Sequence, residues 1–360
     1  MRRIPTNLLW QEVYWTRPFE QSDVLELLAH LAVLLPRRQI VWEVRGSGGK
    51  IRFFVGTRRR YLRSLKLAFL AHGDIVFSDI TYSDRSNVTA VKQLKRSKPT
   101  LSLATAKTLP VLKTALSAMA NTRKNETLVL QIILGESTVP IPVLDKATNP
   151  HATMLDIVLG NVGNASKESM ASLKEKNSQH GFYSCIRIGA VGETEKRTTG
   201  LLLGLISSFR QFETTGVRLT FSRTDADSLN QVKIPFFMPL KLSLTELAGF
   251  VLLPCTNEPF AGIDSLHPKR LQPPIWLRNS SYTDRVFAKS LVGEEPVNLN
   301  ISIKDSLEHT VILGPTGSGK STVMLNLIMS DIEAGRGVLV VDPKNDLIND
   351  ILARIPSDRV

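Results

Sequence analysis

Short runs rich in β-branched and aromatic residues alternate with helical-period stretches in two places. In the first, Ile40-Val41-Trp42-Glu43-Val44 and Lys50-Ile51-Arg52-Phe53-Phe54-Val55 flank Gly46-Ser47-Gly48-Gly49. The pattern predicts a hairpin, then a helix to about His72 and a strand over residues 74–77. The glycines, with a strand on each side, read as a hairpin turn and not as a phosphate loop. The second series opens with a strand over 182–188, continues in a helix over about 193–212 and ends in a strand over 217–221. Each series needs a sheet packed on a helix, so each reads as a small ferredoxin-like unit. They are distant copies of one unit or two unrelated βαβ pieces. Residues 24–35 read as a core or partner-facing helix. Residues 128–134 and 138–144 read as strand-like patches, and 148–180, rich in Asn, Ser and Lys, as a surface connection with some helix. Residues 242–254 predict a short helix ending at Pro254, and Pro268, Pro273 and Pro274 an extended linker.

Beyond the linker the pattern changes. Val297-Asn298-Leu299-Asn300-Ile301 alternates as a half-buried strand, and Val311-Ile312-Leu313 reads as a buried one. A helix over 322–333 is apolar nearly all round (Val323, Met324, Leu325, Leu327, Ile328, Ile332), as expected against a parallel sheet. A turn at Gly335-Arg336-Gly337, a strand Val338-Leu339-Val340-Val341-Asp342 and a helix over about 346–355 follow. Between the 311–313 strand and the helix lies Gly314-Pro315-Thr316-Gly317-Ser318-Gly319-Lys320-Ser321, a complete phosphate-binding loop. Its glycines let backbone N–H groups turn inward around phosphate oxygens, and the following helix aims its positive end at them. Lys320 would reach the β- and γ-phosphates of ATP, Ser321 would hold Mg²⁺, and Thr322 closes the loop. The flanking strand and helix separate this from a chance glycine-rich turn.

The expected fold class is therefore α/β, with ferredoxin-like α+β units followed by the start of a RecA-like parallel sheet. The expected domains are a basic α/β region over 1–145, a second βαβ-type unit with a polar connection over 146–240, a short helix and Pro-rich linker over 241–295, and an incomplete nucleotide domain over 296–360. At 360 residues with 42% hydrophobic and 22% charged, the composition is that of an ordinary globular protein. No apolar run reaches the roughly 18–20 residues of a membrane span. Met1-Arg2-Arg3-Ile4-Pro5 lacks the apolar run of a secretory signal. A cytoplasmic location is expected, with the inner membrane face reached only through partners. Cys185, Cys255 and six scattered histidines show no zinc or redox spacing, so no structural metal or disulfide framework is expected.

Charge changes the picture further. The excess of Lys and Arg over Asp and Glu is +14 in residues 1–240 and −2 in 241–360, together the formal +12. Arg58, Arg59, Arg60, Arg63 and Lys66 form one concentration; Lys92, Lys95, Arg96 and Lys98 form another, followed by Arg123 and Lys124. Such a field attracts nucleic acid, acidic lipid or an acidic protein, or merely keeps a helix face solvated.

The last 120 residues carry a family resemblance. Leu247-Ala248-Gly249, Leu253-Pro254, Pro273-Pro274, His309, the 314–322 loop, Asp331-Ile332-Glu333-Ala334-Gly335-Arg336-Gly337 and Val341-Asp342-Pro343-Lys344-Asn345-Asp346-Leu347 resemble type IV secretion and conjugative DNA-transfer ATPases of the HerA/FtsK superfamily. The loop alone would also suit pilus or type II secretion ATPases, which do not follow it with this Asp-Pro-Lys helix start. The resemblance implies a ring-forming, usually hexameric motor that drives DNA or a DNA–protein substrate through a pore with other secretion components. It places Asp342 near the nucleotide. Where the family more often has Gly, this chain has Asn345, which tolerates left-handed backbone.

The same resemblance implies a later Walker B strand, a catalytic Glu, a sensor and an arginine finger. A P-loop sheet has about five strands, and the pattern here supplies two core strands and one leading strand. The expectation is the N-terminal part of a longer motor, from a truncated gene, a split gene or a partial record, that binds ATP but hydrolyses it poorly or not at all. The alternative is a non-catalytic basic module docking on DNA, a membrane face or a secretion partner.

Overall fold

The structure, a computed structural model, describes residues 8–15, 20–35, 40–73, 75–80, 84–143, 149–150, 159, 163–255, 260–263, 285–290 and 297–357. The chain divides into two units, Met1–Pro268 and Lys269–Val360.

The first unit runs β1 (Leu8–Trp15), α1 (Gln21–Leu34), β2 (Ile40–Ser47), β3 (Lys50–Arg58), α2 (Arg59–His72), β4 (Ile75–Asp79), β5 (Ala90–Arg96), α3 (Thr108–Ala120), β6 (Thr127–Thr138), α4 (Lys167–Asn177), β7 (Gly181–Val191), α5 (Glu195–Arg210), β8 (Leu219–Thr224), α6 (Asp227–Asn230), β9 (Leu240–Ser243) and α7 (Leu244–Phe250). Gly48 and Gly49 stand at φ 59° and 78°, the left-handed pair that a two-residue hairpin turn requires, and so set Ser47 opposite Lys50. Gly46 is needed for a different reason: a Cβ there would strike the Met119 carbonyl at the end of α3.

The strands form one sheet in the order β4-β1-β3-β2-β6-β7-β5-β8, with β9 also on β7, and every pairing is antiparallel. Each half of the eight-strand path has its fourth, first, third and second strands in that order from the outer edge, the first half as a β-α-β-β-α-β unit and the second with α4 added between its second and third strands, and the halves meet through β2 and β6. The expected pair of copies is thus visible as one topology repeated, although the second copy begins at β5 and not at residue 182. The sheet also runs through the expected 145/146 boundary, because β6 pairs with β7.

One face of the sheet carries the main core, including Trp42, Phe53, Phe69, Leu130, Ile186 and Phe209, and all of this unit's helices but the four-residue α6, which packs on the other face. Trp42 Nε1 donates to Val251 O at 2.8 Å, tying the chain after α7 to that core. On the other face the register aligns Ser78, Glu12, Phe54, Glu43, Gln131, Arg187, Gln93 and Ser222 in a single row. The row mirrors itself about the β2–β6 contact: Ser78 answers Ser222, Glu12 answers Gln93 and Glu43 answers Gln131. Its centre is buried and linked by hydrogen bonds. Gln131 Nε2 donates to Glu43 Oε1 at 2.8 Å, Arg85 Nη2 donates to the same oxygen at 2.7 Å, and Arg187 Nη1 donates to Gln131 Oε1 and Ser228 O. Burial alone would raise the Glu43 carboxyl, but Arg45 and Arg85 outweigh it and hold it at about 2. The buried Glu43 charge is tolerated because Arg45 and Arg85 balance it, whereas Arg187 is held by neutral acceptors alone.

Several expectations move. The basic run at 92–98 is largely a strand, β5. Residues 139–143 form no strand, and 144–148 lie outside the described residues, as does the Pro-rich linker over 264–284. The strand expected over 217–221 is β8, shifted toward the C-terminus.

The second unit contains β10 (Arg285–Ser290), β11 (Val297–Ile301), α8 (Ile303–Ser306), α9 (Lys320–Glu333) and α10 (Asp346–Leu352). β10 and β11 form an antiparallel pair, and β10 packs on α9. Asp331 near the end of α9 joins the parts: it accepts from Arg285 Nη2 of β10 at 3.0 Å and from Arg336 Nη1 of the following turn at 2.9 Å.

The expected parallel sheet is not observed among the described residues. Residues 311–313 and 338–342 form no strand, and Val311, Leu313, Leu339 and Val341 are 76, 88, 90 and 85% exposed. α9 buries only Leu325 and Leu327, whereas Met324 is exposed. Without neighbouring strands, neither the backbone groups of these segments nor their apolar side chains find the partners that a parallel sheet supplies. No helix among the described residues is long and apolar enough to cross a membrane.

Candidate functional site

The 314–322 loop is built by local geometry. Gly317 and Gly319 stand at φ 82° and 87°, with open space where a side chain would be. Such φ values are strained for any residue with a Cβ, so both positions require glycine. Ser318 N donates to Pro315 O at 3.2 Å, and a Cβ on Gly314 would collide with the Ser318 hydroxyl. Gly319 is also the N-cap of α9, which has no side-chain cap and no acid in its first turn. The first N–H groups of this 14-residue helix thus lack a side-chain acceptor, and its dipole favours an anion beside them. Lys320 follows immediately, its Nζ donating to Gly314 O and Pro315 O at 2.8 Å each. Residues Pro315, Thr316, Ser318, Ser321 and Thr322 are exposed, so the hydroxyl of Ser321 is open to an incoming ligand.

Asp342 is held by the turn that follows it. Its Oδ1 accepts from Lys344 N at 3.1 Å and its Oδ2 from Leu347 N at 2.8 Å, which ties it to the first turn of α10. The N–H groups of Lys344, Leu347 and Ile348 hold its carboxyl below the usual range. Asn345, the N-cap of α10, sits at φ 68°, the left-handed conformation expected of the residue in this position. Asn345→Val is therefore expected to destabilise the second unit by about 1–2 kcal/mol, and Asn345→Gly to leave it unchanged or more stable. Urea denaturation of the two variants checks this, and a Val variant as stable as the Gly variant contradicts it.

The basic candidates do not form one surface. Arg59, Arg60 and Arg63 are exposed on the first turns of α2, with Arg58 and Lys66 half-buried and the Lys66 ammonium 5.5 Å from the Phe77 ring centre. In β5, Lys92 and Lys95 point to opposite faces of the sheet, as strand alternation requires. Lys98 is half-buried just beyond that strand. Arg96 is withdrawn from any surface. Its side chain is 1% exposed and its Nη1 donates to Glu246 Oε1 at 2.8 Å. Lys176 of α4, 2% exposed, reaches the same carboxylate at 3.0 Å. The sequence reading missed this Glu246 cluster and the Arg285–Asp331 pair. Only the Ser243–Glu246 spacing of a capping box hinted at Glu246, and the box is indeed formed.

Residues 290–349 match the family model described as the central domain of the helicase HerA. The matched segment contains the loop, α9, Asp331 and the Asp342–Lys344 turn, and it supports a HerA/FtsK-type P-loop ATPase reading with nucleotide binding at the family level. A search of curated proteins and a search of solved structures each find no match.

Proposed function

We propose that this protein acts in a DNA-translocating motor of a conjugation or type IV secretion system, binding ATP with Mg²⁺ at the 314–322 loop. The observation that carries the reading is the uncapped N-terminus of α9 opening directly from a loop with left-handed Gly317 and Gly319 and with Lys320 beside it. Backbone N–H groups of the loop and the Lys320 ammonium would bind the phosphates, and the exposed Ser321 hydroxyl would hold the metal. The bound metal ion would neutralise phosphate charge. Phosphoryl transfer further requires an acid that holds the metal and a positioned water. The 314–322 loop supplies neither, so binding without efficient turnover is expected.

The test is equilibrium binding of a fluorescent ATP analogue with Mg²⁺ to the chain and to Lys320→Ala, with phosphate release followed in the same samples. Binding that depends on Lys320, with little release, supports the reading. Absence of binding removes the nucleotide site, and robust release lost in Lys320→Ala removes the claim of weak turnover.

A second reading has its own observation: Arg59, Arg60 and Arg63 are exposed together on α2, whose first turn contains no acid. This stripe suits a polyanion, with DNA the partner most consistent with a motor. Binding of duplex DNA should then weaken steeply with salt and ignore ATP, and replacing all three arginines by Gln should abolish it.

A further inference from the structure

The outer strands of the first unit's sheet are β4 at one end and β8 at the other, equivalent positions in its two repeats. Among the described residues β4 pairs only with β1 and β8 only with β5, so each has one edge without a partner strand. The two strands share a pattern that differs in charge: Phe77-Ser78-Asp79 in β4 and Phe221-Ser222-Arg223 in β8. In both, the Phe packs on the core beneath the helices and the Ser lies in the row on the opposite face. Asp79 and Arg223 therefore stand on the helix-bearing face at the two rims, both exposed. Asp79 accepts a hydrogen bond from Gln11 Nε2, and Arg223 forms no ion pair among the described residues.

Charges on edge strands commonly prevent edge-to-edge association, and one sign at both rims would repel every pairing. Opposite signs act selectively. β4 against β4 and β8 against β8 meet like charges, whereas β8 against β4 of another copy meets unlike ones. Direction agrees with this choice. Every neighbouring pair in the sheet is antiparallel, so the first and eighth strands run in opposite senses, and β8 set beside another copy's β4 continues the alternation. Extending the polar row places Ser222 opposite Ser78 and leaves Arg223 diagonal to Asp79 on the same face, within reach of a long side chain.

We infer that a second copy of this chain docks head-to-tail on the first, β8 of one against β4 of the next. The contact is heterologous, so it repeats, closing into a ring where the rotation allows and extending otherwise. It rests on the first unit alone and does not depend on nucleotide binding. A single short strand pair is a small interface, so the association is weak.

The experiment is sedimentation equilibrium of the full chain from low to high micromolar concentration at low ionic strength, with circular dichroism confirming that each variant is folded. Wild type should self-associate. Asp79→Arg and Arg223→Asp should each weaken association about three- to tenfold, and the double reversal should restore it because the signs are exchanged. Asp79→Asn, which keeps an acceptor for Gln11, should fall between wild type and Asp79→Arg. A chain that stays monomeric throughout, association indifferent to the single reversals, or a double variant as weak as the singles overturns the inference.

Discussion

Glu246→Gln is expected to cost the first unit about 3–5 kcal/mol, whereas Lys176→Met, at the other end of the same ion pair, costs little at pH 7. Glu246 is fully buried and meets four donors: Arg96 Nη1, Leu103 N and Lys176 Nζ at 2.8, 2.9 and 3.3 Å on one oxygen, and Ser243 N and the same Lys176 Nζ at 3.0 Å each on the other. Neutralising it leaves two cations buried without a counter-charge, a loss comparable to much of a domain's stability. Removing Lys176 instead leaves Arg96 and Glu246 as a balanced pair. The protein shows which partner is in excess. Burial, opposed by Glu246, lowers the Lys176 ammonium from 10.5 to about 8. Below that pH folded and unfolded chains both hold the proton, and this group adds no pH dependence. Between about 8 and 10.5 only the unfolded chain holds it, so stability rises with pH across that window by up to about 3 kcal/mol. Urea denaturation of wild type and Lys176→Met at pH 7 to 10 isolates the effect as the difference between them. A Lys176→Met variant as damaged as Glu246→Gln, or one that keeps the full rise, would falsify the argument.

The same residues show why part of the sheet was illegible in the sequence. β1 contains Gln11 and Glu12 in mid-strand, both buried, and β5 reads as a charge run with Lys92, Lys95 and Arg96. A strand is recognised by apolar positions that face a core, and these strands face a polar row instead. That row, and the Glu246 cluster on the opposite face, are satisfied largely by residues distant in sequence, such as Arg187 on Gln131 and Arg96 on Glu246, so little that is local announces them. The β2–β3 hairpin, in contrast, was legible because its turn chemistry lies in adjacent glycines. The phosphate loop and the left-handed Asn345 were legible for the same reason, since backbone conformation is dictated within a few residues. Charge totals were legible but not their placement: α2 presents its arginines outward, whereas Arg96 is drawn inward by a carboxylate 150 positions away. The parallel sheet expected around residues 311–313 and 338–342 depended on distant pairing, and pairing is what local pattern cannot specify.

Lys320→Ala is expected to weaken ATP-analogue binding by about 100-fold or more, because one ammonium serves the loop twice. When phosphate is bound, a charge-assisted hydrogen bond contributes roughly 1.5–3 kcal/mol, and the ion attraction adds to it. In the structure the same ammonium bridges the carbonyls of Gly314 and Pro315, holding the start of the loop against the first turn of α9. The alanine variant loses the phosphate contact and this bridge together, so the loop must be ordered by the nucleotide alone. Lys320→Arg separates the two roles. It retains the charge, but its planar fork replaces a compact donor that fits between two adjacent carbonyls, so binding should be intermediate. Hydrogen exchange without nucleotide should report faster exchange over residues 314–320 in Lys320→Ala. Competition by tripolyphosphate then asks whether phosphate is what the loop reads. Wild-type affinity in the alanine variant would mean that the analogue is held elsewhere on the chain, and the uncapped end of α9 would lose its assigned ligand.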